Sequence, residues 1–355
     1  MYKQVNQKFA ESLLEELPEK PPFIFIQDYH FTLLPKLIKE KRPDATIALF
    51  WHIPWPNPEA FAICPYQMEI LNGMISSDII GFHLQYHCNN FLETANRLFE
   101  CRVDTEKFSI VKDQKETLVR AFPISVDGYM TGHIPEVAEQ ELNKIRRDLK
   151  LEDKIIGVGV DRIDYTKGIN ERIMAIDRFL EKYPQYKKKF VFIQLASPSR
   201  THIKRYQELM DEIEELVKKT NAKYAEGEWK PIIYLKRQFS QEEIRPYYML
   251  GDLCIVSALH DGMNLVAKEY VASREDLNGV LILSRFTGAS RELLDAVLIN
   301  PYAIEDFADA IKFSLEMHPE AKKKRMESMR KVIAENNVYR WAGNIITAMT
   351  SLKKP

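Results

Sequence analysis

Nine short apolar runs punctuate the chain: FIFIQ (23–27), TIALFW (46–51), DIIGF (78–82), LVRAFP (118–123), IIGVGV (155–160), FVFIQLA (190–196), IIYL (232–235), LCIVS (253–257) and VLILS (280–284). Most are continuous and rich in β-branched or aromatic residues, as expected of strands covered on both faces. Between them, segments such as 170–182, 201–220, 241–250 and 265–273 have helical character. Strands alternating with helices build parallel sheets wound on both sides, so the fold class is α/β with doubly wound, Rossmann-like domains. After Pro123 the texture changes to turn residues and a charged helical stretch, which marks a domain boundary. The second half then holds about five strands before a charged helical tail over 319–352.

A length of 355 residues suits two domains, and 45% hydrophobic with 28% charged residues is the balance of a globular protein. Fifty basic residues against 51 acidic ones leave a net charge of −1, so no global field points to nucleic acid. The basic runs Lys187–Lys189 and Lys322–Arg325 sit in or beside helical patterns and are expected to be solvated faces. No apolar run approaches a bilayer span, and residues 1–20 lack a secretory signal, which makes the cytoplasm the expected location and a membrane partner unexpected. Cys64, Cys88, Cys101 and Cys254 form no C-x-x-C pair and suit reduced thiols.

Open α/β sheets bind ligands at the carboxyl ends of their strands, so the loops after strands are where chemistry is sought. In VSALHDGMNLVAKEYVAS (256–273) a strand runs through His260-Asp261-Gly262 into a helix beginning near Asn264. A helix start offers unpaired N–H groups to a diphosphate, Gly262 permits close backbone approach, and Glu269 can accept ribose hydroxyls. An ordinary strand-to-helix turn with Asp261 as N-cap explains the same spacing. In IIGVGVDRIDYTKGINER (155–172), Arg162 and Lys167 bracket a turn ending at Gly168 and can converge on one anion. Surface ion pairs with Asp161 or Asp164 are the alternative there. The sequence contains no D-x-D segment to hold a divalent cation, so protein cations would have to take that part.

In the first half, Asp28 and His30 follow one strand and His52 follows another. Pro54, Pro56 and Pro58 stiffen the second loop and would hold His52 and Trp55 as a polar, aromatic wall suited to a sugar. A lone histidine is as readily a satisfied structural residue. His83 and His87 stand four apart beside Cys88, yet lack the glutamate of H-E-x-x-H and a fourth ligand, so they are expected to line the core or a cleft rather than bind metal.

Taken in order, QDYH, WHIPWPNPEAF, SSDIIGFH, DRIDYTKG, QLASPSR, YAEGEWKPIIYL and HDGMNLVAKEYVA resemble the trehalose-6-phosphate synthase family over nearly the whole chain. The resemblance implies the two-domain GT-B fold. It assigns 1–127 to a partial acceptor-side domain, 128–335 to a nucleotide-sugar domain, and 336–355 to a helix returning to the first. The family carries a further segment, with a Gly-rich loop, before the part matched by VNQKFAESLLEEL, so the first domain is expected to be incomplete, with an exposed sheet edge.

The implied reaction is retaining transfer of glucose from UDP-glucose to glucose 6-phosphate. It is metal-independent, with UDP-glucose as co-substrate, and self-association is left open. By match, Arg162 and Lys167 hold the donor diphosphate, and Asn264, Leu265 and Val266 the uridine and phosphate. Gly262 and Met263 belong to the same donor loop, Glu269 meets the ribose, and Phe239 meets the uracil region. Asp261 and His52 stand at the donor sugar and reacting centre, and Asp28 and Arg200 contact the acceptor. WHIPWPN and PISVD depart from the family pattern, which keeps glucosylglycerol-phosphate synthase as an alternative. A non-catalytic nucleotide-sugar-binding homologue or fragment is another.

Overall fold

All nine apolar runs form strands in the computed structural model, which describes residues 1–127 and 139–352. The strands are β1 (Phe23–Gln27), β2 (Thr46–Phe50), β3 (Ile79–Phe82), β4 (Arg102–Asp104), β5 (Ser109–Lys112), β6 (Lys115–Ala121), β7 (Ile155–Arg162), β8 (Phe190–Ser197), β9 (Ile232–Lys236), β10 (Leu253–Val256), β11 (Val280–Ser284) and β12 (Val297–Ile299). Three were not anticipated: β4, β5 and β12 hold only three or four residues each. The strand expected over 118–123 runs instead from Lys115 to Ala121, because pairing with β5 extends it backwards.

The helices are α1 (Tyr2–Glu16), α2 (Leu34–Lys41), α3 (Pro58–Ala62), α4 (Gln67–Met74), α5 (Gln85–Leu98), α6 (Glu139–Asp148), α7 (Ile169–Lys182), α8 (Lys204–Tyr224), α9 (Gln241–Leu250), α10 (Leu265–Ser273), α11 (Ile304–Leu315), α12 (Pro319–Glu335) and α13 (Val338–Thr350). The charged tail expected over 319–352 forms two helices, parted at Asn336-Asn337, where two poor helix formers stand together, and the second falls within the helix expected over 336–355.

The chain divides into two compact units, one of Met1–Ile124 with Val338–Pro355, the other of Ser125–Asn337. Residues 128–138, where the second domain was expected to begin, lie outside the described residues. In the first unit the sheet order is β1-β2-β3-β6-β5-β4, parallel from β1 to β6 and antiparallel beyond. Strand β2 sends alternate residues to two cores. Ile47 and Leu49 join Ala10, Ile38, Leu71 and Phe91 of the helices on one face. Ala48 and Phe50 meet Ile345 and Met349 of α13 on the other. Strand β1 is an edge, and its Phe23 and Phe25 remain 60% and 40% exposed.

The second unit is an all-parallel sheet of order β12-β11-β10-β7-β8-β9. Numbered within the unit, this is the 3-2-1-4-5-6 order of a Rossmann fold, whose direction of winding reverses between β7 and β10. Helices α7, α8 and α11 bury Ile173, Ile213 and Phe307 against Phe192, Leu253 and Ile255, and α9, α10 and α12 pack together as the second layer. All four cysteines are free thiols. Among the described residues, no helix is long and apolar enough to cross a membrane.

Candidate active site

The switch point of the second sheet brings together the two loops that the sequence singled out. Lys167, in the loop after β7, places Nζ 2.6 Å from Oδ2 of Asp261, in the loop after β10. Asn264 Nδ2 donates to the same carboxylate oxygen at 3.1 Å. Arg162 closes β7 with its side chain exposed. Neither of the alternative pairings with Asp161 or Asp164 forms. Asp161 turns inward to Arg172, and Asp164 folds its own turn, accepting from Thr166 N at 3.0 Å and Thr166 Oγ1 at 2.9 Å. The turn ends at Gly168 with φ 61°, and a Cβ there would stand 2.1 Å from Ser257 O, so only glycine fits.

Beneath these loops lies Arg172, fully enclosed. Its Nη1 donates to Asp161 Oδ2 at 2.6 Å and Gln194 Oε1 at 2.7 Å, and its Nε donates to Ser257 Oγ at 3.0 Å. Ser257 Oγ in turn donates to Gly168 O at 2.7 Å. One buried guanidinium thus ties β7, β8, the end of β10 and the turn that carries Lys167.

Asn264, rather than Asp261, caps α10, accepting from Ala267 N at 3.1 Å. The cap leaves the N–H groups of Leu265 and Val266 as donors that the helix cannot satisfy internally. Asn264 holds φ at 83°, an uncommon conformation for a side-chain-bearing residue. The turn after β11 braces the preceding loop: Gly288 N donates to Asp261 O at 3.1 Å and Ala289 N to Met263 O at 2.8 Å. Gly288 approaches so closely that a Cβ would lie 2.0 Å from Gly262 O. Under α10, the buried Lys268 pairs with Glu292 at 2.6 Å.

Further along α10, Glu269 is half-buried and accepts from Tyr248 Oη at 3.0 Å. Burial raises its carboxyl above the usual range, and the phenol bond only partly offsets this. Phe239 precedes α9, whose capping box joins Ser240 and Glu243. The Arg237 guanidinium lies 3.9 Å over the Phe239 ring, and Tyr247 meets that ring at 6.4 Å.

Arg200, at φ 49°, donates from Nη1 to Tyr206 Oη at 2.6 Å, and Tyr206 donates to Asp164 Oδ2 at 3.0 Å. Although burial works against ionisation of Asp164, these bonds, those of Thr166 and the Lys167 charge hold it below the usual carboxylate range. Arg200, Tyr206, Asp164, Lys167, Asp261 and Asn264 therefore line up along the ends of β8, β7 and β10. Tyr206 and Ser257 were not anticipated, and Asp164 entered only as the partner of a cation in the alternative reading. The D-x-T spacing of a self-bonded turn was the available signal for Asp164.

In the first unit, Asp28 and His52 come together. Asp28 Oδ1 accepts from His52 N at 3.2 Å, while His52 Nε2 meets Gln27 Oε1 at 2.7 Å. With that oxygen as acceptor, Nε2 carries the ring proton. Burial lowers the His52 pKa, against the opposing pull of Asp28, so the ring is neutral near pH 7. Asp28 adopts φ 66° and ψ 180°, a region populated almost only by glycine, and such strain gathers where function fixes a side chain. Trp55 corrects the expected aromatic wall: it is 1% exposed and packs on Phe61 and Phe91, its indole donating to Thr94 Oγ1. His87 Nδ1 meets Trp55 O at 3.3 Å, and His83 Nδ1 accepts from Ile124 N at 3.4 Å.

Residues 1–351 match the family model described as glycosyltransferase family 20. A trehalose-6-phosphate synthase of Mycobacterium sp. (strain KMS) is 38% identical over 361 residues, covering 99% of this chain and 73% of its own length. The UDP-forming alpha,alpha-trehalose-phosphate synthase A of Dictyostelium discoideum is 36% identical, with 96% and 46% covered. Among solved structures, one from E. coli, described as bound with UDP-2-fluoro glucose, superposes with a TM-score of 0.94 at 30% identity, covering 99% of this chain and 78% of that one. A Burkholderia xenovorans alpha,alpha-trehalose-phosphate synthase in complex with glucose-6-phosphate gives a TM-score of 0.91 at 28% identity, with 99% and 78% covered.

Proposed function

The chain belongs to glycosyltransferase family 20, and from that premise we propose that it transfers glucose from UDP-glucose to glucose 6-phosphate with retention, giving α,α-trehalose 6-phosphate. The observation that carries this reading is the meeting of Lys167, Asp261 and Asn264 at the switch point of a parallel sheet, where such sheets take nucleotides. Lys167 has three donors, so it can keep Asp261 and still reach a phosphate oxygen. Arg162 adds a second cation, and the Leu265 and Val266 N–H groups meet the diphosphate at the start of α10. Glu269 takes the ribose and Phe239 flanks the uracil. Gly262 and Met263 shape the loop between sugar and phosphate. Asp261 and His52 act at the glucosyl group, and Asp28 and Arg200 on the sugar-phosphate acceptor.

In this mechanism the C1–O bond to the diphosphate breaks as the acceptor hydroxyl attacks the same face. The departing phosphate oxygen receives the hydroxyl proton. Charge on the leaving group is stabilised by Arg162 and Lys167, so no divalent cation and no enzyme nucleophile are required. The same reading expects the activity in the cytoplasm. We expect calorimetry to detect binding of UDP and UDP-glucose, and UDP release to depend on glucose 6-phosphate and to survive EDTA. Donor binding without transfer to a phosphorylated acceptor would reduce the protein to a nucleotide-sugar binder; no affinity for UDP would sink both readings.

The raised pKa of Glu269 gives a pH signature. Ribose hydroxyls bond more strongly to the ionised carboxylate than to the protonated acid. Affinity for UDP-glucose, whose diphosphate diester has no ionisation near neutrality, is therefore expected to fall on acidification, at a higher pH than an ordinary glutamate would give. Folding runs the other way: the stability contributed by protonating Glu269 is present below the ordinary carboxyl pKa and lost as pH rises through the raised one. Calorimetry from neutral to acid pH checks this, and Glu269→Gln should flatten the dependence; an unchanged slope in that variant would remove Glu269 from the titration.

A further inference from the structure

Glu269 is half-buried beside a phenol that no match to the family assigned. Tyr248, 2% exposed, lies near the end of α9 and donates its hydroxyl to Glu269 Oε2 at 3.0 Å. Its ring is fixed edge-on against Tyr270, with centroids 6.1 Å apart and planes at 74°. We propose that Tyr248 is a positioning residue for nucleotide recognition, holding the Glu269 carboxylate so that Oε1 faces the hydroxyls of a ribose. This rests on the assignment of Glu269 to the ribose.

The terminal torsion of a glutamate is soft, so an unrestrained carboxylate spreads its lone pairs over many directions. A hydrogen bond from a packed phenol fixes that torsion by occupying one oxygen. The remaining oxygen then offers lone pairs to a ribose without first being ordered, a saving that appears as affinity. Burial keeps the Tyr248 phenol protonated far above neutral pH, so it can only donate to the carboxylate. The same helix makes the second nucleoside contact. Tyr247, the neighbouring residue, meets Phe239 at 6.4 Å, and the Ser240–Glu243 capping box fixes where α9 begins. One helix thus sets both the aromatic assigned to the base and the carboxylate assigned to the sugar.

The test compares UDP with 2′,3′-dideoxy-UDP by calorimetry on the full chain. The wild-type protein is expected to prefer UDP by roughly tenfold or more, the size of hydrogen bonds to a charged group. Tyr248→Phe removes one oxygen and keeps the ring, and it should shrink that preference to about threefold or less. Tyr248→Met, which also lacks the hydroxyl but packs differently, should do the same, so the outcome does not hang on one variant folding. A purely structural role would lower the melting temperature and weaken both ligands alike, leaving the ratio intact, and that result overturns the proposal. Glu269→Gln separates the Tyr248 role from the ribose assignment. If it loses the preference while both Tyr248 variants keep it, only the Tyr248 role fails; if it keeps the wild-type preference, the ribose assignment fails and the proposal with it.

Discussion

Replacing Arg172 with methionine is expected to lower the unfolding free energy by about 3–5 kcal/mol, the usual result of removing one partner of a buried ion pair. The loss comes less from the bonds broken than from what stays behind. Asp161, its side chain 5% exposed, would keep a charge with, among the described residues, only Gln194 Nε2 still donating to it, at 3.2 Å. Arg172 is itself costly to bury, since among the described residues its enclosed Nη2 has no hydrogen-bond partner. In return it joins β7, β8, the end of β10 and the turn that carries Lys167. Chemical denaturation should show the loss directly, with a melting temperature lower by on the order of 10 °C. Asp161→Asn in the same chain should restore part of it, because no charge is then stranded. A loss below about 1 kcal/mol would mean that Asp161 finds water or a proton, and that the network is not the anchor of the strand-end loops.

The second large effect is expected on ligand rather than on fold. Lys167→Ala should weaken UDP binding by about 2–4 kcal/mol, a factor of roughly 30 to 1,000 in Kd. Two losses combine. The diphosphate loses a cation, and Asp261 loses the ammonium 2.6 Å away that neutralises it, so a second negative group then stands close to the phosphates. Lys167 and Asp261 remain 19% and 16% exposed, which lets water reach the stranded carboxylate and keeps the cost to folding small. Calorimetry at fixed ionic strength, with a melting curve beside it, distinguishes the two. Unchanged affinity in a folded variant removes the diphosphate role.

How much of this was legible before the fold was seen follows from the range of each interaction. The run IIGVGV could be read as a buried strand because its neighbours in sequence decide it. The short β4, β5 and β12 could not, because three residues carry no period and their pairing partners do the work. The chemistry-bearing loops after β7 and β10 were legible as polar turns between an apolar run and a helix. That Lys167 would meet Asp261, 94 residues away, was not, since it depends on β7 and β10 being neighbours. Trp55 misled for a related reason: a proline-stiffened loop fixes a direction but does not say whether that direction is inward. Tyr248 and Arg172 gave no local sign, each being one polar residue in an amphipathic helix. The positive φ angles at Asp28, Arg200 and Asn264 were hidden as well, because glycine, the usual marker, is absent from all three.

The strand order of the second unit also bears on how the protein comes into being. Its sheet is parallel throughout, so each neighbouring pair must wait for an intervening crossover to close, and such long-range contacts form late. The proposed diphosphate end of the site needs the loops after both β7 and β10, and its bracing turn needs β11. A chain growing from the ribosome therefore gains nucleotide affinity only after most of this unit has assembled. From then on the nucleotide binds the finished state and not its precursors, so cellular nucleotide sugar would act as a stabiliser of newly made protein by mass action.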